Sequence, residues 1–336
     1  MLQVIWFILV GMLFTGYAIL DGFDLGVGML HMLGKTDLDR RLMLNSIGPI
    51  WDGNEVWLVT AGGALFAAFP GVYASMFSGF YLPLMMLLTF LILRAVSIEF
   101  RSKQPQKAWR LAWDIGFSLG SLGAALILGI AVGNLTMGLH LNARHDYTGG
   151  LLDLLHPYAL LVGITTVALF LMHGSIYLVM KTEGDLRQRI EPWVNRAIIF
   201  FIMCVAATTM ATLLYIPYVG RHFRAHPWMF VFALANMLAI ANIPRAMHLK
   251  KEFQAFMSSC FSIVMLMCLL AGGIFPYMMI SRPRVNSLTV FNAANTPHAL
   301  SIMLILAIIG IPLVASYTFA IYWIFRGKTR LDITSY

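Results

Sequence analysis

Four carboxylates lie where an apolar chain has least reason to carry charge. Two belong to the run Asp21-Gly22-Phe23-Asp24-Leu25-Gly26-Val27-Gly28. On a helix Asp21 and Asp24 stand three residues apart and share one face. Ionisable groups inside an apolar segment are costly, and they mark proton relays, ion sites or internal pairs. This pair could hold protons, bind a cation or face an arginine. Alternatively, the two groups lie close enough to the helix end to meet water or Arg40 and Arg41. Gly22 and Gly26 form a G-x-x-x-G step that lets a second helix approach closely.

The other two belong to Gly48-Pro49-Ile50-Trp51-Asp52-Gly53-Asn54-Glu55-Val56-Trp57. Asp52 and Glu55 have capping-box spacing, in which the first accepts from a free backbone N–H and the second reaches back. Trp51 and Trp57 would then be interfacial anchors. In the competing reading, a carboxylate at this rim loads protons into a polar path between helices, with Asn54 among its neighbours. From the residues alone both readings stand.

Other polar residues suggest less chemistry. Arg94, five residues before Glu99, is expected to snorkel to the interface. Asp114, after Trp113, suits the positive end of a helix that it opens. His173, with Tyr177 one turn later, reads as a hydrogen-bonded structural histidine. A six-coordinate haem needs two axial side chains, and the remaining histidines lie at the ends of apolar runs or between them. Haem binding wholly within this chain is therefore not expected. Cys204, Cys260 and Cys268 fall inside apolar runs with no metal-ligand spacing. Gly26-Val27-Gly28 lacks the βαβ context of a dinucleotide fingerprint.

The elements that must position these residues are helices in a bilayer. The chain is 60% hydrophobic and 11% charged, with a mean hydropathy of +0.79, whereas soluble domains carry about 25% charged residues. The net charge of +8 is spread in short clusters between apolar runs, which argues against nucleic acid as a partner. Runs of spanning length occur near 3–31, 54–70, 72–96, 114–138, 156–180, 197–219, 226–246, 255–280 and 299–325. They predict nine transmembrane helices in one integral membrane domain, 1–336, with a tight turn at Phe69-Pro70-Gly71. The first run is expected to be a retained helix and not a cleaved signal. Of the 23 lysines and arginines, only Arg144, Arg221, Arg224, Arg282 and Arg284 fall on one side of a nine-span arrangement. The other eighteen share a side with the C-terminus, so the N-terminus is predicted outside and the C-terminus cytoplasmic. The tryptophans near run ends, Trp6 among them, suit an interfacial belt.

The two acidic runs also carry a resemblance. Asp21 to Gly28 followed by Asn45 to Trp57, then Ala61 to Pro70, resembles the signature of subunit II of cytochrome bd quinol oxidases. Arg94 with Glu99 and Arg101, Trp109 with Asp114, and Met180 to Leu186 are similar to that family too. The first hundred residues are specific; the second half matches in hydropathy and spacing. The resemblance implies two four-helix bundles plus a peripheral helix. It implies a larger partner, subunit I, that holds haem b and haem d, oxidises quinol and reduces O₂ with protons drawn from the cytoplasm and no pumping. It leaves room for small single-span accessory subunits and for a structural quinone or lipid. It would put Asp52 on a proton-uptake path, with Asp21, Asp24, Trp51, Asn54, Glu55 and Trp57 as its surroundings, in a bacterial inner membrane. The connection around Gly220 to His226 would be short for the family. The rival readings are a proton- or cation-coupled secondary transporter and a passive scaffold whose acids only cap helices. The first lacks support from an internal copy of the acidic motif.

Overall fold

A computed structural model describes residues 1–331. It contains the helices α1 (Leu2–Leu30), α2 (Asp37–Ile47), α3 (Trp51–Ala68), α4 (Pro70–Gly79), α5 (Tyr81–Phe100) and α6 (Lys107–Met137). The second half adds α7 (Pro157–Lys181), α8 (Gly184–Tyr215), α9 (Pro217–Ala225), α10 (Phe230–His248), α11 (Glu252–Ile274) and α12 (Pro297–Ile324). The only sheet among the described residues is a short antiparallel pair, β1 (Tyr277–Met279) with β2 (Leu288–Thr289). The chain is thus an all-α membrane protein.

Eight helices among the described residues are long and apolar enough to cross a membrane. The run expected over 54–70 forms α3, an 18-residue helix that is not among them. Trp51, Asp52, Asn54 and Glu55 in its first turns lower its apolarity below that of its neighbours. The run expected over 72–96 is broken at Phe80 into α4 and α5, and the run over 197–219 is broken at Ile216, where Pro217 starts α9. Pro70 occupies the first turn of α4, where its missing N–H costs nothing.

α1 is the hub, packing against α3, α6, α7, α11 and α12. Its tightest contact is with α7. A Cβ on Gly26 would stand 2.8 Å from the Gly174 Cα, and one on Gly22 would enter the Phe170 ring. The expected small-residue step is therefore the α1–α7 crossing, where backbones touch because neither chain has side-chain bulk there. α12 is peripheral; its apolar residues, such as Ile305, Leu306 and Leu313, are largely exposed.

α2 lies across one end of the bundle. Thr36 and Asp39 form a reciprocal capping box at its start, with Thr36 Oγ1 accepting from the Asp39 N–H at 3.1 Å. Asp39 also receives Arg189 of α8 at 2.6 Å. At the opposite end, segments 138–156 and 275–296 hold each other through Leu139 N to Ile280 O at 2.8 Å and Arg282 N to Leu139 O at 2.7 Å. Trp6 is buried there and donates to the Leu300 carbonyl at 3.0 Å. It is a structural tie between α1 and α12, not a belt residue as its position suggested.

Two expectations follow. Gly26→Ala should lower stability by about 1–3 kcal/mol through overpacking, whereas Gly11→Ala, with open space around it, should be neutral; thermal unfolding of both variants in detergent checks this. Burial opposes the charge on Asp39, but hydrogen bonds from Thr36, the Arg189 guanidinium and the Lys35 N–H outweigh it and hold the carboxyl below its ordinary value. A carboxyl depressed in the folded state stabilises above its unfolded pKa, about 3.9, and loses that contribution as pH falls through the folded value. Asp39→Asn should therefore lose about 1 kcal/mol at neutral pH, the usual worth of such a cap. It should also show a flatter fall in melting temperature below about pH 4 than the parent.

Candidate functional site

Tyr17, Asp21 and Asp24 lie four and then three residues apart along α1, so one face of that helix presents all three. Each is buried, and both aspartates are fully so. Arg94 of α5, equally buried, meets them. It donates through NH1 to Asp21 Oδ2 at 2.9 Å and through NH2 to Asp21 Oδ1 at 2.5 Å. Its NH2 is 3.9 Å from Asp24 Oδ2. Arg94 therefore does not snorkel. It is the fixed counter-charge of the α1 acids, which face it and not Arg40 or Arg41.

Asn54 enters from α3. Its amide nitrogen donates to Asp24 Oδ2 at 2.8 Å and to the Leu20 carbonyl at 3.2 Å, and its Oδ1 accepts from the Tyr322 hydroxyl of α12 at 2.9 Å. Three buried atoms of the cluster have no hydrogen-bond partner in the protein: Asp24 Oδ1, the Tyr17 hydroxyl and Arg94 Nε. One guanidinium thus faces two carboxyl groups, and the second keeps an oxygen free. Such an unsatisfied buried acceptor is a place where a proton or water can bind.

Glu55 is half-buried and within electrostatic reach of Arg94, Asp21 and Asp52. Asp52 is exposed on the first turn of α3, in line with the exposed Val56, Val59 and Phe66. The capping box that one reading gives Asp52 and Glu55 does not form, because the helix is entered two residues earlier, with Ile50 as N-cap and no side-chain cap bond. The tryptophans are not belt anchors either. Trp51 is buried in the core, and the Trp57 ring covers Gly16 of α1, where a Cβ would collide with it. The structure joins Asp21, Asp24, Asn54 and Glu55 around Arg94, and leaves Asp52 at the rim outside that cluster.

A second buried cluster lies beneath α2. Asp114 Oδ1 accepts from His31 Nε2 at 2.6 Å and Arg101 Nε at 2.5 Å, and its Oδ2 accepts from Arg40 at 2.7 Å. Arg101 and Arg110 also reach Asp37, at 2.9 and 3.0 Å. Asp114 is not a helix-opening residue, because α6 begins two turns earlier, at Lys107; it is the anchor that fixes α2 to α5 and α6. His31, expected at a run end, is fully buried in this cage.

The one histidine deep in a span has no nitrogen to spare. His173 Nδ1 contacts Ser259 Oγ at 2.7 Å and its Nε2 contacts the Ile19 carbonyl at 3.0 Å, while its ring stacks on Phe256. That geometry fits a structural histidine and not an axial haem ligand. Among the described residues, no three His, Cys, Asp or Glu side chains group as a metal site. Sequence reasoning missed Tyr17, Tyr322 and the pairing of Arg94. An arginine inside an apolar run was the available signal for the last; nothing in the sequence marks Tyr322.

Residues 2–325 match the family model described as cytochrome bd terminal oxidase subunit II. The chain is 37% identical to cytochrome bd-I ubiquinol oxidase subunit 2 of Escherichia coli (strain K12), over 99% of this chain and 96% of that protein. It is 33% identical to cytochrome bd ubiquinol oxidase subunit 2 of Bacillus subtilis (strain 168), over 96% of each. A solved structure of bd oxidase from Geobacillus thermodenitrificans contains a chain of the same fold, with a TM-score of 0.79 at 17% identity, over 96% of this chain and 98% of that one.

The buried pair sets a clear expectation. Arg94→Leu should destabilise by about 3–5 kcal/mol, because it strands a buried carboxylate, and Arg94→Leu with Asp21→Leu should recover part of that loss. A double-mutant cycle on denaturation in detergent measures the coupling.

Proposed function

Because the chain belongs to the cytochrome bd terminal oxidase subunit II family, a subunit of an oxidoreductase complex, we propose that it works as the haem-free core subunit of a quinol:O₂ oxidoreductase. Its own chemistry is to carry protons from the cytoplasmic rim toward the subunit that reduces oxygen. The observation that carries this reading is the surplus of acid over base in a buried site, with Asp24 Oδ1 unpartnered beside the Asp21–Arg94 pair. In the proposed path Asp52 collects protons at the exposed rim of α3, and Glu55 stands between it and the buried cluster. Asp24 is the group at which a proton is added and removed. Asp21 and Arg94 stay paired with each other and keep the site polar without trapping the moving charge. Asn54 orients Asp24, and Trp51 and Trp57 seal the α1–α3 seam against lipid.

The same reading orders the rest of the molecule. α3 is the ninth transmembrane helix, its polar first turns resting at the cytoplasmic rim and tolerated there because α1 and α12 engage Asn54. The end that holds α2 is cytoplasmic, which agrees with the concentration of lysine and arginine there and leaves the N-terminus outside. The helices form two four-helix bundles with α12 as the peripheral helix, in a bacterial inner membrane. Quinol oxidation, haem b and haem d belong to the larger subunit I, where the haems supply electron transfer and O₂ reduction when bound. His173, with both nitrogens engaged, supports that division of labour. Small single-span subunits and a structural quinone or lipid are compatible with the exposed apolar faces of α8, α10 and α12.

The test uses the purified complex. Asp24→Asn should lower quinol-driven O₂ reduction by about 100-fold, the lower end of what positioned proton donors contribute. Asp52→Asn should slow the same reaction, with haem content normal in both variants. Full turnover in both would remove these groups from the mechanism.

A further inference from the structure

The amide of Asn54 has a defined orientation, and the residue that completes it lies 268 positions away in sequence. A primary amide donates from nitrogen and accepts at oxygen. The Leu20 carbonyl can only accept, so the Asn54 nitrogen must face α1, where it reaches both Leu20 O and Asp24 Oδ2. Asn54 Oδ1 then faces α12, and the Tyr322 hydroxyl must be the donor to it. Tyr322 has one hydroxyl proton and spends it there.

The consequence reaches Asp24. Its Oδ2 accepts from Asn54 and is close to Arg94, so a proton on that oxygen would be set against two donors. Oδ1 has no donor near it. From this geometry we propose that Tyr322 is a positioning residue, which through Asn54 commits Asp24 Oδ2 as an acceptor and leaves Oδ1 as the oxygen that carries the proton. The inference rests on the proton-path reading for its effect on turnover, but not for its effect on Asp24 itself.

Tyr322 is well held for this task. α12 touches the rest of the chain along few residues, yet its end is clasped just beyond Tyr322. Lys181 of α7 donates to the carbonyls of Phe325 and Gly327, and the Thr329 N–H donates to Lys181 O at 2.8 Å. The ring of Tyr322 also packs edge-on against Phe23, so removing the hydroxyl alone leaves the packing in place. The other titratable or charged groups facing Asp24 are Asp21 on α1, Glu55 on α3, Arg94 on α5, Tyr177 on α7 and Tyr322 itself. Tyr17 of α1 lies beside Asp21 and Arg94, and Cys260 of α11 stands near Tyr322. Apart from Tyr322, none of these supplies a hydrogen bond to Asn54 Oδ1.

The experiment is infrared difference spectroscopy and a pH profile of O₂ reduction on the assembled, haem-loaded complex carrying Tyr322→Phe. The carboxylic C=O stretching band of Asp24 is identified by its loss in Asp24→Asn. In Tyr322→Phe that band should move, and the pH profile should shift by about one unit, the scale of one hydrogen bond expressed as a titration. The shift should be absent when Tyr322→Phe is placed in the Asp24→Asn background. Asn54→Ala cuts the same chain one link later and should move the band at least as far; it also decides the matter if Tyr322→Phe assembles poorly. An unmoved band in both Tyr322→Phe and Asn54→Ala overturns the inference. A moved band with unimpaired turnover in Asp24→Asn would instead sink the proton-path reading and leave the positioning role standing.

Discussion

A single buried guanidinium shared between two carboxyl groups governs the architecture. Arg94 is two-pronged on Asp21, and removing either charge would leave the other stranded in a medium that solvates it poorly. That requirement fixes the relative rotation of α1 and α5 and keeps the site closed to bulk water. The close α1–α7 crossing at Gly26 and Gly174 serves the same end, because it brings the acid-bearing helix into the middle of the bundle. Asp24 is then surplus, held by the neutral amide of Asn54 and only brushed by the arginine.

The cage around Asp114 shows what a finished ion-pair site looks like in this protein. Three cationic or potentially cationic groups hold one carboxylate, and both of its oxygens are occupied. No oxygen remains on which a proton could be exchanged without breaking a pair. The contrast with Asp24 is one of coordination alone, since both residues are fully buried and only Asp24 keeps an oxygen without a hydrogen-bond partner. It also explains why α2, an otherwise weakly apolar helix, stays fixed: Asp37, Asp39 and Arg40 tie it to α5, α6 and α8.

Much of this was legible in the chain. The i, i+3 spacing of Asp21 and Asp24, the glycine step beside them and most of the apolar runs follow from local periodicity; the structure keeps the first two, and eight of the expected nine spans are long and apolar enough to cross a membrane. The failures concern partners distant in sequence. Arg94 and Asp21 are separated by 73 residues, so a rule about isolated arginines in apolar runs assigned the wrong environment. Asp114 was referred to a helix dipole because the start of α6 was placed two turns late. The cap open to Asp52 and Glu55 is removed by a two-residue shift in the start of α3, which has Ile50 as N-cap. For Arg94 and Asp114 a local motif is outcompeted by a tertiary ion pair; for Asp52 and Glu55 the helix boundary itself differs.

Asp52 then acquires meaning from its position and not from a bond. Along α3 the exposed residues Asp52, Val56, Val59 and Phe66 form one stripe, and Gly53 and Gly63 on that side have open space where a Cβ would stand. The opposite side carries Asn54, Ala61 and Leu65 into the bundle. A helix so divided has its carboxylate at one end of an uncovered surface and its amide at the buried acid, less than one turn apart in rise. Glu55 lies between the two sides and feels charges on both, Asp52 on the exposed side and Asp21 and Arg94 on the buried one. The polar first turn lowers the apolarity of α3, which is why it is not among the described helices long and apolar enough to cross a membrane.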